Sequence, residues 1–164
     1  MLLSKSEFEK NLKNKNLRLA FIGMSNVGKS FRARQLVNKK KFLKKSIDKE
    51  ISRKLKIKNE KEMAKWLGHP WEPQFETNQK KYLDAENTLT KNMNFPKNNN
   101  FVLDTTGSVI YLESETLKFL KENFLIIYLK VPSNLRKNLI NLFFNKPKPL
   151  IWGNIFKKKT RKII

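Results

Sequence analysis

The stretch Leu17-Arg18-Leu19-Ala20-Phe21-Ile22-Gly23-Met24-Ser25-Asn26-Val27-Gly28-Lys29-Ser30 decides the fold of this chain. The run from Leu17 to Ile22 is short and mostly apolar, and it stops at Gly23, as a strand buried on both faces of a parallel sheet does. Gly23 to Ser30 then satisfies G-x-x-x-x-G-K-[ST] in full. A phosphate chain has to be approached closely by several backbone N–H groups, so such a loop needs residues without a Cβ at both ends. The following segment, Lys29 to Lys41, predicts a helix with Phe31, Leu36 and Val37 on one face, and its N-terminus adds unpaired N–H groups and the helix dipole. Lys29 sets a cation on the outer phosphates, and the Ser30 hydroxyl can hold Mg2+. A chance match in a turn is the alternative, and the strand–loop–helix context argues against it. Residues Gly23 through Phe31 are therefore the expected contacts of ATP, with Mg2+ at Ser30.

Outward from this stretch, strands and helices alternate. Residues 1–16 read as a short helix or a frayed lead-in. Phe42 to Ile47 predicts a second, weaker strand, and Asp48 to Leu67 one or two helices with Asp48 at the N-cap. Gly68 to Pro73 is a loop, Phe75 to Met93 a helix, and Asn94 to Asn100 a turn. Phe101 to Asp104 is a third strand, Leu112 to Lys121 a helix, and Phe124 to Val131 the clearest strand of all. Pro132 then opens a helix to about Phe144. The alternation predicts an α/β fold in three layers around a parallel sheet. No repeat and no linker divides the chain, so residues 1–164 are expected to form one domain.

Two carboxylates and a lysine stand where chemistry could use them. Asp104 closes an apolar strand, a position from which a carboxylate reaches Mg2+ beside a phosphate loop; the alternative is a cap for the turn Thr105-Thr106-Gly107. Asp48 follows the second strand, where it could take the proton of an attacking hydroxyl, or simply cap a helix. In Lys146-Pro147-Lys148-Pro149-Leu150, lysines held between prolines could close over transferring phosphates as a lid, or belong to a basic tail. His69 is assigned no role. Trp66, Trp71, Phe75 and Trp152 are expected to pack, a base-stacking platform being the alternative.

Composition narrows the choice of partners. The 164 residues carry 36 Lys plus Arg against 14 Asp plus Glu, a net charge of +22, with no cysteine and a single histidine. This excludes a disulfide framework, a thiolate metal site and a His-rich zinc cluster. No apolar run is long enough for a transmembrane helix, and the opening residues do not form a signal peptide, so a cytoplasmic monomer without membrane contact is expected. Arginine is confined to Arg18, Arg32, Arg34, Arg53, Arg136 and Arg161. Nucleic-acid surfaces usually recruit the arginine fork, whereas abundant Lys, Asn, Ile and Phe fit the bias of an AT-rich coding sequence. A nucleic-acid partner is the less favoured reading.

With these residues on view, positions 17–151 resemble the shikimate kinase family of small P-loop phosphotransferases, leaving 1–16 and 152–164 as basic ends. Asp48-Lys49-Glu50-Ile51 resembles the D-x-x-I signature of the acceptor-binding Asp, and Phe75 opens the segment usually written F-R-x-x-E. Val102 to Val109 resembles the strand and turn L-A-T-G-G-G, and Lys148-Pro149-Leu150 falls at the lid motif R-P-L. The resemblance implies a parallel sheet of about five strands with helices on both faces, and transfer of the ATP γ-phosphate to a hydroxyl of a small polar acid. It assigns acceptor contacts to Asp48 and Gly107, and catalytic roles to Lys29, Asp48 and Lys148. The departures are specific. Ser46 replaces an Asp that helps to position Mg2+, and Asp104 replaces an Ala. Glu76 replaces the Arg that grips the acceptor carboxylate. Asn141 and Asn145 stand at the nucleotide-side R-x-x-x-D pair, and Lys148 replaces the lid Arg. The family's last helix, with its acceptor-binding Arg, is not expected before Ile164. Two further readings follow: a nucleotide-binding module without transfer activity, and a basic P-loop protein associated with nucleic acid.

Overall fold

The computed structural model describes residues 3–145 and 148–152. Four short strands, β1 (Arg18–Ile22), β2 (Leu43–Ser46), β3 (Phe101–Asp104) and β4 (Leu125–Tyr128), form one parallel sheet in the order β2-β3-β1-β4. The expectation of about five strands is corrected to four among the described residues. Arg18 pairs with Phe101 and Ser46 with Asp104, so the carboxyl ends of β1, β2 and β3 lie along one edge. In open α/β sheets this edge is where ligands bind.

Alternation along the strands builds two cores. Ala20 and Leu103 face one side, where Ile47, Ile51, Leu67, Phe75, Tyr82 and Phe124 bury against them. Leu19, Phe21 and Val102 face the other, packed with Ala33, Leu36, Phe8 and Leu12. Helices α1 (Lys5–Lys13) and α2 (Lys29–Lys40) thus cover the second face. The first is covered by α3 (Ile47–Lys54), α4 (Glu60–Leu67), α5 (Phe75–Lys91) and α6 (Ser114–Asn123). Each fully buried large side chain contributes about 1.5–3 kcal/mol, so Phe124, Ile51 and Leu67 at 1 % exposure or less anchor this layer firmly. A seventh helix, α7 (Arg136–Asn145), follows a short 3-10 turn at Ser133–Leu135.

Several boundaries differ from the sequence reading for local reasons. The lead-in is a true helix, because Ser4 and Glu7 form a reciprocal capping box. Asp48 is not an N-cap: α3 starts at Ile47 with Ser46 before it, so Asp48 lies inside the first turn and its side chain is free to face the sheet edge. Phe31 is half exposed and gives its expected core position to Ala33. Trp71 is also not a packing residue; it is largely exposed and stacks on His69, with ring centroids 4.8 Å apart. Strand β4 is less buried than its apolar run suggests, since among the described residues it pairs only with β1. No described helix is long and apolar enough to cross a membrane. Lys146, Pro147 and the basic end from Gly153 onward lie outside the described residues.

Candidate functional site

At the carboxyl edge of the sheet, four pieces of chain enclose a cavity of about 380 Å3. The first is the loop between β1 and α2. Its turn out of β1 requires glycine: Gly23 has φ 141°, and a Cβ there would stand 2.6 Å from the Leu129 carbonyl oxygen. Left-handed backbone at Asn26 and Gly28 then coils the loop and delivers the chain into α2. Met24, Ser25, Asn26, Gly28, Lys29, Ser30 and Phe31 line the cavity. Gly23 and Val27, expected with them, form the base of the loop instead, with Val27 packed beside Gly23.

Lys29 is folded back over its own loop. Its Nζ donates to the carbonyl oxygens of Gly23 at 2.7 Å and Met24 at 2.9 Å. Burial pushes the ammonium below its ordinary pKa, opposed by the negative fields of Asp48 and Asp104. A buried cation satisfied only by carbonyl oxygens is prepared for an anion, which would supply the missing countercharge.

The second piece is the start of α3, which carries Asp48. This half-buried carboxylate faces the cavity and accepts a hydrogen bond from the Tyr82 hydroxyl at 3.2 Å. Burial pushes its pKa up to about 6, with Lys29 pulling the other way. Asp48 is thus poised to gain or lose a proton near neutrality.

The third piece is the turn after β3. Thr105 anchors it by donating to the Phe21 carbonyl at 2.7 Å. Gly107 comes so close to the loop that a Cβ would stand 2.6 Å from Ser25 Oγ and 3.1 Å from Ser25 N. A side chain at 107 would have to push Ser25 aside. Asp104 ends β3 just before this turn. It is buried and does not line the cavity. Its Oδ2 lies 2.8 Å from Lys44 Nζ, while Oδ1 has no hydrogen-bond partner. No hydrogen bond ties the carboxylate to the turn it was expected to cap as an alternative role.

The fourth piece is the segment 148–152. Lys148 lines the cavity, but its Nζ pairs with Glu60 at 3.1 Å. The Trp152 N–H donates to Gln79 at 3.1 Å and Ile151 is buried, so the segment is strapped across α4 and α5. The structure therefore brings Lys29, Ser30, Asp48, Gly107 and Lys148 to one cavity and leaves Asp104 behind its wall.

Sequence reasoning missed four participants, the first being Tyr82, which lines the cavity and donates to Asp48. Arg34 and Glu60 line the cavity. Deeper, Glu86 is fully buried in α5 and accepts hydrogen bonds from the hydroxyls of Thr106 and Ser108. A helical face was the available signal, since Phe75, Asn78, Tyr82, Ala85 and Glu86 recur at spacings that bury one side of α5.

A Mg2+ ion would find no ready-made cage here: among the described residues no group of three or more His, Cys, Asp or Glu converges. That fits an ion held mainly by phosphates, with the Ser30 hydroxyl and one carboxylate from the protein. The unpartnered, buried Oδ1 of Asp104 is the orphaned acceptor such an arrangement would use.

No family model matches the chain, and no curated protein does. Solved structures do. A shikimate kinase from Acinetobacter baumannii, determined in complex with shikimate, is 20% identical with a TM-score of 0.59, over 82% of this chain and 68% of that one. A shikimate kinase from Aquifex aeolicus is 18% identical with a TM-score of 0.49, over 90% of this chain and 80% of that one. With β2-β3-β1-β4 in parallel and helices on both faces, the chain has a divergent shikimate-kinase-like fold.

Proposed function

We propose that the protein is an ATP-dependent phosphotransferase that moves the γ-phosphate of Mg·ATP to a hydroxyl of a small molecule. The observation that carries this reading is the cavity shared by the loop 23–30, Asp48 and Lys148. A phosphate chain and an acceptor hydroxyl would meet there. The loop amides and Lys29 would hold the phosphates, Lys29 exchanging the carbonyls of Gly23 and Met24 for phosphate oxygens. Ser30 would hold Mg2+ from the cavity, with Asp104 behind the wall reaching it through water, and the ion when bound would neutralise charge on the outer phosphates. Asp48 would orient the acceptor hydroxyl and take its proton as the new O–P bond forms and the bond from the γ-phosphorus to the bridging oxygen of ADP breaks. Gly107 gives the acceptor a floor without a side chain. Lys148 would add charge over the transferring group once released from Glu60.

We infer that a carboxylated acceptor is not gripped here in the way the resemblance implies. Glu76 stands at the position of the acceptor-gripping Arg in the sequence resemblance, and its side chain is exposed and does not line the cavity, so that grip is missing. Losing such a charge-assisted pair costs about 2–5 kcal/mol, which weakens the binding of shikimate by roughly 30-fold to several thousand-fold. Thermal shift with Mg·ATP and a panel of hydroxy acids, sugars and nucleosides identifies the acceptor, because ligands of the folded state raise its stability. Steady-state transfer assays on the hits then test turnover. A nucleotide-induced shift with no transfer to any acceptor would leave a nucleotide-binding module. Turnover of shikimate with a KM in the usual range of about 1 μM–1 mM would overturn the reading of Glu76.

A further inference from the structure

Glu86 is a carboxylate with no exposure to solvent, placed in the middle of α5, and the proposed chemistry does not use it. Burying a charge is expensive unless it is matched by hydrogen bonds, so such a group marks a structural demand. Its two oxygens are both engaged: Oε1 accepts from the Thr106 hydroxyl and Oε2 from the Ser108 hydroxyl at 2.6 Å. The Ser108 amide in turn donates to Thr106 Oγ1 at 3.0 Å, closing a small ring of contacts. Between these two residues sits Gly107, the one that touches Ser25 of the phosphate loop.

We propose that Glu86 is a positioning residue of this site: by gripping Thr106 and Ser108 it holds Gly107 against Ser25. Thr105 fixes the other end of the same turn to β1, so the turn is clamped between the sheet and α5. The grip depends on charge. An ionised carboxylate accepts from both hydroxyls, whereas a protonated one must spend an oxygen as a donor. Burial raises the Glu86 pKa to about 7, so the clamp weakens as the pH falls through neutrality. The charged and titratable groups that face it are Asp48 on α3, Lys29 on α2 and Tyr82 on its own helix.

The inference deepens the phosphotransferase reading, on which its consequence for Mg·ATP rests, while the clamp itself can be read without ligand. Amide hydrogen exchange of the ligand-free protein should show faster exchange at Gly107, Ser108 and Ser25 in Glu86→Gln, with β1 unchanged. Unchanged exchange at Gly107 and Ser25 overturns the proposal. Calorimetry with Mg·ATP then measures the effect on the phosphate loop. At pH 8, Glu86→Gln and Ser108→Ala should each bind roughly fivefold more weakly than wild type, the scale of one lost hydrogen-bonded support. The double variant should be no weaker than the weaker single one, because both cut the same tether. At pH 6 the gap between wild type and Glu86→Gln should close. Wild-type affinity in Glu86→Gln at pH 8, or strictly additive effects, overturns the proposal. A Lys29→Ala variant in the same series separates the two readings: if it binds Mg·ATP as wild type does, the nucleotide site fails, and exchange at Gly107 and Ser25 still decides the clamp.

Discussion

At the end of the cavity built by residues 23–31, recognition of the proposed nucleotide would fall mainly to backbone. The loop coils through left-handed residues at Asn26 and Gly28, and one lysine completes it. At the end built by Asp48, Tyr82 and the segment 148–152, recognition of the proposed acceptor would fall to side chains, each held by a different helix. A backbone site needs glycines at fixed spacing and little else, so it can be written in eight residues of sequence. A side-chain site needs partners brought from α3, α4 and α5, and each can be exchanged for another chemistry. On the proposed reading, the loop would serve any nucleotide kinase of this architecture, and the side-chain end would set the acceptor.

The sharpest way to break this division is at Asp48. Asp48→Asn should lower transfer by roughly a hundred- to ten-thousandfold, the usual worth of a general base, while Mg·ATP affinity measured by calorimetry stays near wild type. The pH profile carries the sign. Since the ionised form accepts the proton, transfer should rise with pH through about 6. Stability runs the other way. A folded-state pKa raised from 3.8 to about 6 means the folded protein binds more protons across that window, so stability is lost as pH rises through it. Asp48→Asn should therefore melt at a higher temperature than wild type at pH 7.5 and at a similar one at pH 4. A large loss of ATP affinity in Asp48→Asn would erase the distinction between the two ends.

Lys29→Ala breaks the comparison from the other side. It should cost roughly a hundred- to a thousandfold in transfer, as the loss of one charge-stabilising group does, together with a weaker Mg·ATP affinity. Its fold should persist, because the Lys29 ammonium contacts only the carbonyls of its own loop. Unchanged nucleotide affinity in a folded Lys29→Ala variant would remove the site.

Asp104 sharpens the boundary between the two ends. If its free Oδ1 serves Mg2+, Asp104→Asn should raise the Mg2+ concentration needed for ATP binding by about 10- to 100-fold, as losing a ligand or its support commonly does. The variant also unpairs Lys44, so melting temperature must be read alongside. Lys44→Met breaks the same ion pair from the other partner and should destabilise the fold without raising the Mg2+ requirement. Equal Mg2+ dependence in Asp104→Asn and Lys44→Met would return Asp104 to a purely structural role.

What could be read in the sequence follows the same line. The loop, β1, β3 and the positions of Asp48, Gly107 and Lys148 rest on local signals: an apolar run, a glycine spacing, a strand-end carboxylate. The Asp48 side chain was legible as a residue at the sheet edge, yet its place inside α3 was not, since a helix start shifted by one residue leaves the pattern of apolar positions intact. Glu86 was harder to read: helical spacing puts it on the buried side of α5, yet a carboxylate among Asp84-Ala85-Glu86-Asn87 carries no local sign that it belongs there. Its burial depends on Thr106 and Ser108, twenty residues or more away in sequence, which supply its hydrogen bonds. The exposed Trp71 was misplaced for the converse reason: an aromatic in a loop has no periodicity to say which way it turns. Local chemistry was readable, and long-range pairing of polar groups was not.

The smallest expected effect concerns the strap. Lys148 and Glu60 meet at 3.1 Å on a rim where their side chains remain 32% and 55% exposed. An ion pair so open to water is worth roughly 0–1 kcal/mol, so it can hold Lys148 aside without locking it there. Phosphates arriving at Lys29 carry far more charge than one carboxylate and should draw Lys148 across the cavity. Glu60→Gln removes the competitor. It should leave the melting temperature within a degree or two of wild type and tighten Mg·ATP binding by at most about fivefold, the factor that ~1 kcal/mol supplies. The gain should shrink in high salt, which already screens the pair. Lys148→Met should slow transfer, and in that background Glu60→Gln should no longer change ATP affinity. If Glu60→Gln alone instead weakened ATP binding, the pair would be part of the closed site rather than a rival to it, and the acceptor end would begin at α4, one helix nearer the nucleotide than the present division places it.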